Sequence, residues 1–213
     1  MDTSLYLDIN RWARSTPWLH GPLAAYALWG GLAALAVVVV ATWWFVLRYR
    51  PDGTAALILL IAGGAGSLVA LGLNQLIGHA VNRVRPCLAI AHALVLLNCA
   101  RDPSFPSDHA MIAGALVFAL FVADRRVGLV GLALALLLAF ARVYAGVHYP
   151  SDVAAGLVIG AATDAVVILV ARLAFPIVLP AADRLARSPL RPLLTALPPA
   201  AAGRPSPRRA GRS

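Results

Sequence analysis

Lysine and glutamate are absent from this 213-residue chain: all 18 basic residues are arginine and all nine acidic ones are aspartate. That restriction reads as a codon bias toward GC-rich DNA more than as a demand of function. Charge of either sign is scarce. Charged residues make up 13% of the chain, about half of the roughly one quarter usual in soluble domains, which excludes an ordinary water-soluble globule. The first 20 residues, MDTSLYLDINRWARSTPWLH, contain no long apolar core, so no cleavable signal peptide is expected there. A formal charge of +9 does not point to nucleic acid. The arginines fall at membrane edges and in the C-terminal tail instead of forming one basic domain.

What is present is apolar. Hydrophobic residues account for 61% of the chain, and the mean hydropathy is +0.79. A spanning helix needs roughly 20 mostly apolar residues. Residues 22–47, 54–78, about 107–123, about 127–145 and about 153–175 are expected to supply five of them. The first ends in Trp43 and Trp44 ahead of Arg48 and Arg50, an interfacial pattern. The second contains Gly63, Gly64 and Gly66, which permit close helix approach. The expected fold is therefore an all-α integral membrane protein, a bundle of about five transmembrane helices with an N-terminal interfacial helix over residues 1–20. In that helix Leu5, Leu7, Ile9 and Trp12 mix with Asp8, Arg11 and Arg14, as in helices that lie on a bilayer. The membrane domain is expected over residues 21–180, since PIVLPA at 176–181 is too short to cross again. Residues 181–213 are expected as a basic, disordered tail, rich in Pro and Arg and free of acid from 186 onward.

Five crossings place the N-terminus and the tail on opposite sides. Twelve arginines then fall on the tail side and six on the other, so the positive-inside bias puts the tail in the cytoplasm. The loop 79–107 and the turn 146–152 then lie outside. The same arithmetic delivers three polar clusters, far apart in sequence, to one membrane face: NRVRPC at 82–87, PSDH at 106–109, and Arg142 with His148 and Asp152.

Charged groups beside hydrocarbon are costly and usually functional. Arg85 and Arg142 converging with a helix N-terminus at Ser107 to Ala110 would make an anion site. Free backbone N–H groups and the helix dipole favour phosphate, and guanidinium forks match its oxygens. Two histidines beside a phosphate can divide the work, one attacking phosphorus and the other protonating the departing oxygen. The attacking ring needs its far N–H held, and Asp152, four residues after His148, is expected to hold it. His109 is left as the general acid. His20 and His92 read as hydrogen-bonded bystanders, and His79 lies near the site at the end of the second span. Asp164, in mid-span, is expected to pair with a polar group of a neighbouring helix, for which Asn74 and Gln75 are candidates.

These clusters resemble the three signature motifs of the type 2 phosphatidic acid phosphatase superfamily, which includes lipid phosphatases and vanadium haloperoxidases. Arg85-Pro86 matches the end of the first motif. Pro106, Ser107 and His109 match the second. Arg142, His148 and Asp152 match the third at its spacing. The resemblance covers roughly residues 54–172. It implies His148 as the nucleophile that becomes phosphohistidine, Asp152 as its orienter and His109 as the acid. Arg85, Ser107 and Arg142 would hold the phosphoryl oxygens, and neither a metal nor another cofactor is implied. Three positions depart from the pattern: the expected lysine falls on Gly78, the second-motif glycine is Asp108 and the third-motif serine is Ala141. Arg83 or His79 would substitute for the lysine, and Asp108 would share a proton with the substrate or shape the pocket.

SFPSDHA and the lysine-free first motif resemble the bacitracin-resistance subgroup of undecaprenyl diphosphatases. That likeness implies hydrolysis of undecaprenyl, or another polyprenyl, diphosphate to the monophosphate at the outer face of a bacterial plasma membrane, in service of cell-wall (peptidoglycan) synthesis. The expected partners are the lipid substrate and membrane lipids, with no nucleic acid; the sequence fixes no oligomeric state. The alternatives are a phosphatase for phosphatidic acid, phosphatidylglycerol phosphate or a polyprenyl-phosphosugar, and a polyprenyl-lipid transporter. A transporter would need charges along a through-path, whereas here they gather at one face.

Both cysteines, Cys87 and Cys99, fall in the outer loop. A bridge between them would close about a dozen residues and contribute roughly 3 kcal/mol to loop order. The alternative is two buried thiols flanking LAIAHALVLL, an apolar stretch that would dip into lipid as a lid.

Overall fold

The computed structural model describes residues 2–185, and no β-strand occurs among them. Helix α1, Asp2–Ser15, turns Tyr6, Asn10 and Ala13 inward, the i, i+4, i+7 stripe of one helical face. Leu5, Leu7 and Trp12 stay exposed on it. The first span runs from Pro17 to Tyr49 but is not one regular helix. It comprises a 3-10 turn (Pro17–Leu19), α2 (His20–Ala25), a π-helical turn (Tyr26–Gly30), α3 (Gly31–Phe45) and a second 3-10 turn (Leu47–Tyr49). There follow α4 (Gly53–Val81), the short α5 (Pro86–Ala89), α6 (Asp108–Ala123), α7 (Arg125–Tyr144), α8 (Pro150–Leu173) and α9 (Phe175–Leu185). Residues 181–185 thus continue α9 instead of opening the expected tail, and residues 186–213 lie outside the described part.

Among the described residues, four segments are long and apolar enough to cross a bilayer: Pro17–Tyr49, the α4 segment, α7 and α8. The fifth expected span, α6, has 16 residues, about 24 Å of helix. It packs on α3, α4, α7 and α8, so protein neighbours surround it on several sides.

Small residues bring these helices together. A Cβ added to Gly114 would run into the Leu157 carbonyl, and one on Gly160 into the Met111 carbonyl. At Gly156 it would sit 2.8 Å from the Ser107 oxygen. Gly156 and Gly160, four residues apart on α8, therefore let α6 approach almost backbone to backbone. Gly63 and Gly66 of α4 do the same for Asp164 of α8, whose side chain lies against both. Asp164 is fully buried, and neither of its oxygens has a hydrogen-bond partner among the described residues. The expected pairing with Asn74 does not occur; Asn74 lies eight residues beyond Gly66, about 12 Å along the helix, and its amide donates to Asp108.

The helix ends sort to two poles. At one, Arg50 donates to the Ala123 carbonyl at 3.1 Å, and Asp124 caps α7 by accepting from the N–H groups of Arg126 and Val127. At the other lie α1, the loop 82–107, the α7–α8 turn and the N-termini of α6 and α8. Asn82, in the left-handed region at φ 47°, ends α4 there by donating its N–H to Gly78 at 2.8 Å. Cys87 and Cys99 are joined in a disulfide. The apolar stretch between them is tied to the bundle and to α1. Leu96 N–H donates to the Ala145 carbonyl, and Leu94 exchanges two hydrogen bonds with the Asn10 side chain. Gly146, at φ +82°, makes room for this loop, since a Cβ there would strike the Leu94 carbonyl.

Candidate active site

The first two clusters come from chain that has just left a helix or is about to enter one; the third straddles the α7–α8 turn. Arg85 precedes α5, Ser107 is the N-cap of α6, Arg142 closes α7, and His148 and Asp152 flank the start of α8. Pro86 and Pro150 both occupy first helical turns, where the missing N–H costs nothing. Ser107 N–H donates to the Asp152 carbonyl at 3.1 Å, which ties the second cluster to the third.

His148 is the centre. It is fully buried, and its Nε2 receives hydrogen bonds from Arg85 Nη1 at 3.1 Å and Arg142 Nη2 at 3.0 Å. Arginine can only donate, so Nε2 carries the lone pair and the ring proton sits on Nδ1. That N–H points at the Ser104 carbonyl, 2.9 Å away. Burial pushes the imidazole down to about 4; the Asp152 carboxylate opposes this, and the Arg142 and Arg85 guanidiniums reinforce it. The ring is thus neutral at physiological pH, with its free electron pair held between two cations.

Asp152 stands farther from His148 than the spacing suggests. Its Oδ2 lies 3.7 Å from His148 Nδ1, beyond hydrogen-bonding range. The carboxylate is already occupied: Oδ2 accepts from Tyr149 N–H at 2.8 Å and from the Ser104 hydroxyl, and Oδ1 accepts from Arg83 Nη1 at 2.7 Å. It caps α8 and fixes Ser104, whose carbonyl then orients the histidine.

The two arginines are held differently. Arg85 donates from Nε to the Asp102 carbonyl at 3.1 Å and from Nη2 to the Asp102 carboxylate at 2.8 Å. Arg142 donates from Nη1 to the Ala27 carbonyl at 3.3 Å, while its Nε is buried without a partner among the described residues. His109 Nε2 lies 3.1 Å from the Leu28 carbonyl. Ala27 and Leu28 both belong to the π-helical turn of the first span, where wider winding leaves carbonyls free for side chains. His109 Nδ1 and Ser107 Oγ are also buried and unpartnered among the described residues. Three orphaned polar atoms, on Arg142, Ser107 and His109, therefore accompany the lone pair of His148 and the free N–H groups that open α6.

Asp108 accepts from the Asn74 amide and lies within electrostatic reach of Arg85 and Arg142. The two expected lysine substitutes are placed elsewhere. Arg83 is engaged by Asp2, Ser151 and Asp152, and His79 bonds the Gln75 carbonyl of its own helix on an exposed face. His92 supplies its carbonyl to Arg14. His20 lies 2.8 Å from the Ala13 carbonyl. Sequence reasoning missed Ser104, Asp102, Asp2 and the π-helical turn. Ser104 and Asp102 lie within five residues of the second motif, which is the one signal that marks them; the turn leaves none.

Residues 55–175 match the PAP2 superfamily. The chain is 32% identical over 129 residues to "Undecaprenyl-diphosphatase BcrC" of Bacillus subtilis (strain 168), covering 60% of this chain and 63% of that protein. It is 33% identical over 93 residues to "Bacitracin transport permease protein BcrC" of Bacillus licheniformis, covering 44% and 46%. The matched region thus spans between about half and two thirds of those relatives. In fold, the chain is similar to the crystal structure of Aquifex aeolicus LpxE. The TM-score is 0.58 at 20% identity, over 78% of this chain and 94% of that one.

Proposed function

The chain belongs to the PAP2 superfamily, and we propose that it is a membrane phosphatase that hydrolyses undecaprenyl, or a similar polyprenyl, diphosphate to the monophosphate. The observation that carries this reading is the convergence of Arg85 and Arg142 on Nε2 of a neutral, buried His148. A terminal phosphoryl group placed there meets both guanidiniums, the Ser107 hydroxyl and the N-terminus of α6, a set matched to an anion. The lone pair of Nε2 faces its phosphorus.

In the proposed reaction, Nε2 forms a bond to phosphorus as the bond to the bridging oxygen breaks. The electron pair leaves with the lipid monophosphate. His109, which takes up a proton together with the substrate anion, donates its Nδ1 proton to that oxygen. Water then attacks the phosphohistidine, His109 takes its proton, and inorganic phosphate departs with Nε2 restored. Arginine supplies the charge stabilisation throughout, so the reaction needs no metal ion. A phosphate monoester is a better leaving group than an alkoxide, which suits a diphosphate substrate.

The site is proposed to open on the extracytoplasmic side of a bacterial plasma membrane, with the C-terminus in the cytoplasm. Supporting this are the twelve arginines that the count of crossings puts on the tail side, against six on the other, and the disulfide beside Arg85, a bond that persists in oxidising compartments. The decisive experiment is phosphate release by the purified protein in lipid vesicles containing C55 diphosphate, with EDTA present. Phosphatidic acid and phosphatidylglycerol phosphate would be run in parallel. Preferential release from the diphosphate is expected. Equal or better turnover of either glycerolipid would overturn the substrate assignment, and dependence on added metal would overturn the mechanism.

A further inference from the structure

Near the start of α1 lies a group that the proposed chemistry does not use. Asp2 accepts hydrogen bonds from Ser151 N–H at 3.0 Å, from the Ser151 hydroxyl at 2.6 Å and from Arg83 Nη2. Arg83 in turn donates from Nη1 to Asp152 Oδ1 and to Ser151 Oγ, each at 2.7 Å. Its guanidinium also lies 4.0 Å from the Tyr149 ring centroid, within cation–π range. The backbone of the same arginine is equally engaged, since the Arg83 carbonyl accepts from Ser104 N–H at 2.8 Å. Ser104 is the residue whose carbonyl holds His148 Nδ1–H. An unbroken chain of polar contacts therefore runs from Asp2 through Arg83 to Ser104 and Asp152, and from Ser104 to the ring of His148.

We propose that Asp2 is a positioning residue: it fixes Arg83 between two carboxylates and thereby holds Ser104 at the nucleophilic histidine. The proposal rests on the phosphatase reading above. Two features single out Asp2 from an ordinary surface ion pair. First, Arg83 faces Asp152, a carboxylate with no solvent exposure, so a shift of the guanidinium would leave a buried charge without its partner. Second, α1 is docked along its length and not only at its tip. Tyr6 OH donates to the Gly146 carbonyl, the Asn10 amide to the Leu94 carbonyl at 2.7 Å, and Arg14 to the His92 carbonyl. The interfacial helix is thus a strap over the loop that carries Arg85, with its acidic end inserted behind the site.

The test uses the full chain in vesicles. Asp2→Ala should lower kcat on C55 diphosphate by about 10- to 100-fold, the usual cost of removing a supporting partner, with KM little changed because Asp2 touches no substrate. Asp2→Asn keeps the shape and the acceptor for Ser151 N–H but loses the charge, and should fall between Asp2→Ala and wild type. Asp2→Asn combined with Arg83→Gln should cost less than the sum of the two, as expected for partners in one network. A second readout needs no substrate: in protein with ¹⁵N-labelled histidine, the His148 Nδ1–H resonance should shift or broaden in both Asp2 variants. Wild-type kcat together with an unchanged His148 resonance in Asp2→Ala would overturn the proposal, as would additive losses. A wild-type protein inert toward the diphosphate would remove the substrate reading alone, and the resonance would still decide the role of Asp2.

Discussion

His148 Nδ1 is held 2.9 Å from the carbonyl oxygen of Ser104, so a backbone acceptor, not a carboxylate, fixes the tautomer of the central ring. Asp152 stands one step back, bonded to the Ser104 hydroxyl. The distinction has measurable consequences.

Replacing His148 with Ala should abolish turnover, because it removes the proposed nucleophile. Asp152→Asn should be milder. Where a carboxylate bonds the catalytic imidazole directly, its amide costs about 10⁴-fold in kcat. Here the Ser104 carbonyl survives the substitution, and a loss of about 10- to 100-fold is expected. Steady-state kcat of the two variants checks this; a 10⁴-fold loss in Asp152→Asn would restore the carboxylate as the direct orienter.

Burial lowers His148 to about 4, against roughly 6.5 for an unfolded histidine. Between those values the unfolded chain binds the proton and the folded chain does not. The contribution of His148 to stability is therefore fully present above about pH 6.5 and is lost as the pH falls toward 4. Histidine ¹⁵N spectra should show His148 neutral, with its proton on Nδ1, down to at least pH 5. An imidazolium signal at pH 6 would contradict the burial argument.

The disulfide closes the loop between Arg85 and its partner Asp102. Cys87→Ser should cost the loop roughly 3 kcal/mol of order. Hydrogen exchange over residues 88–101 should rise while the spans stay protected. Phosphate release should fall through a higher KM, since Arg85 is proposed to grip substrate. Unchanged exchange in this variant, or in wild type treated with a reductant, would show that the cross-link constrains nothing.

Gly160→Ala places a methyl group against the Met111 carbonyl. Overpacking of this kind costs about 1–3 kcal/mol, and backbone on the opposing side gives way less readily than a flexible side chain. A lower Tm in detergent is expected, with Gly72→Ala as the control, because a Cβ at Gly72 meets nothing. Equal Tm values would mean that α6 and α8 are not packed this closely.

The sequence was most legible where chemistry and topology constrain each other. Apolar length marked the spans, and the parity of crossings brought Arg85, His109 and His148 to one pole. It was least legible where a backbone group does the work. The Ser104 carbonyl carries no residue-type signature, and neither do the Ala27 and Leu28 carbonyls. Arg83 looked like a substitute for the missing lysine because it lies two residues from Arg85. Only the fold reveals that Asp2, 81 positions earlier, already claims it. Asp164 and Asn74 were mismatched for a similar reason. Both are polar residues in apolar helices, and sequence alone does not give their relative depth in the bundle.

The π-helical turn at Tyr26–Gly30 couples the site to a single inserted residue. Such a turn is an α-helix carrying one extra position, so the azimuth of everything before it is offset from everything after. Excising one residue there would leave a hydrophobic segment still long enough to insert. It would also rotate the Ala27 and Leu28 oxygens away from Arg142 and His109. Membrane insertion and catalytic competence therefore come apart at this point in the chain: a deletion invisible to any hydropathy scan would disarm the protein.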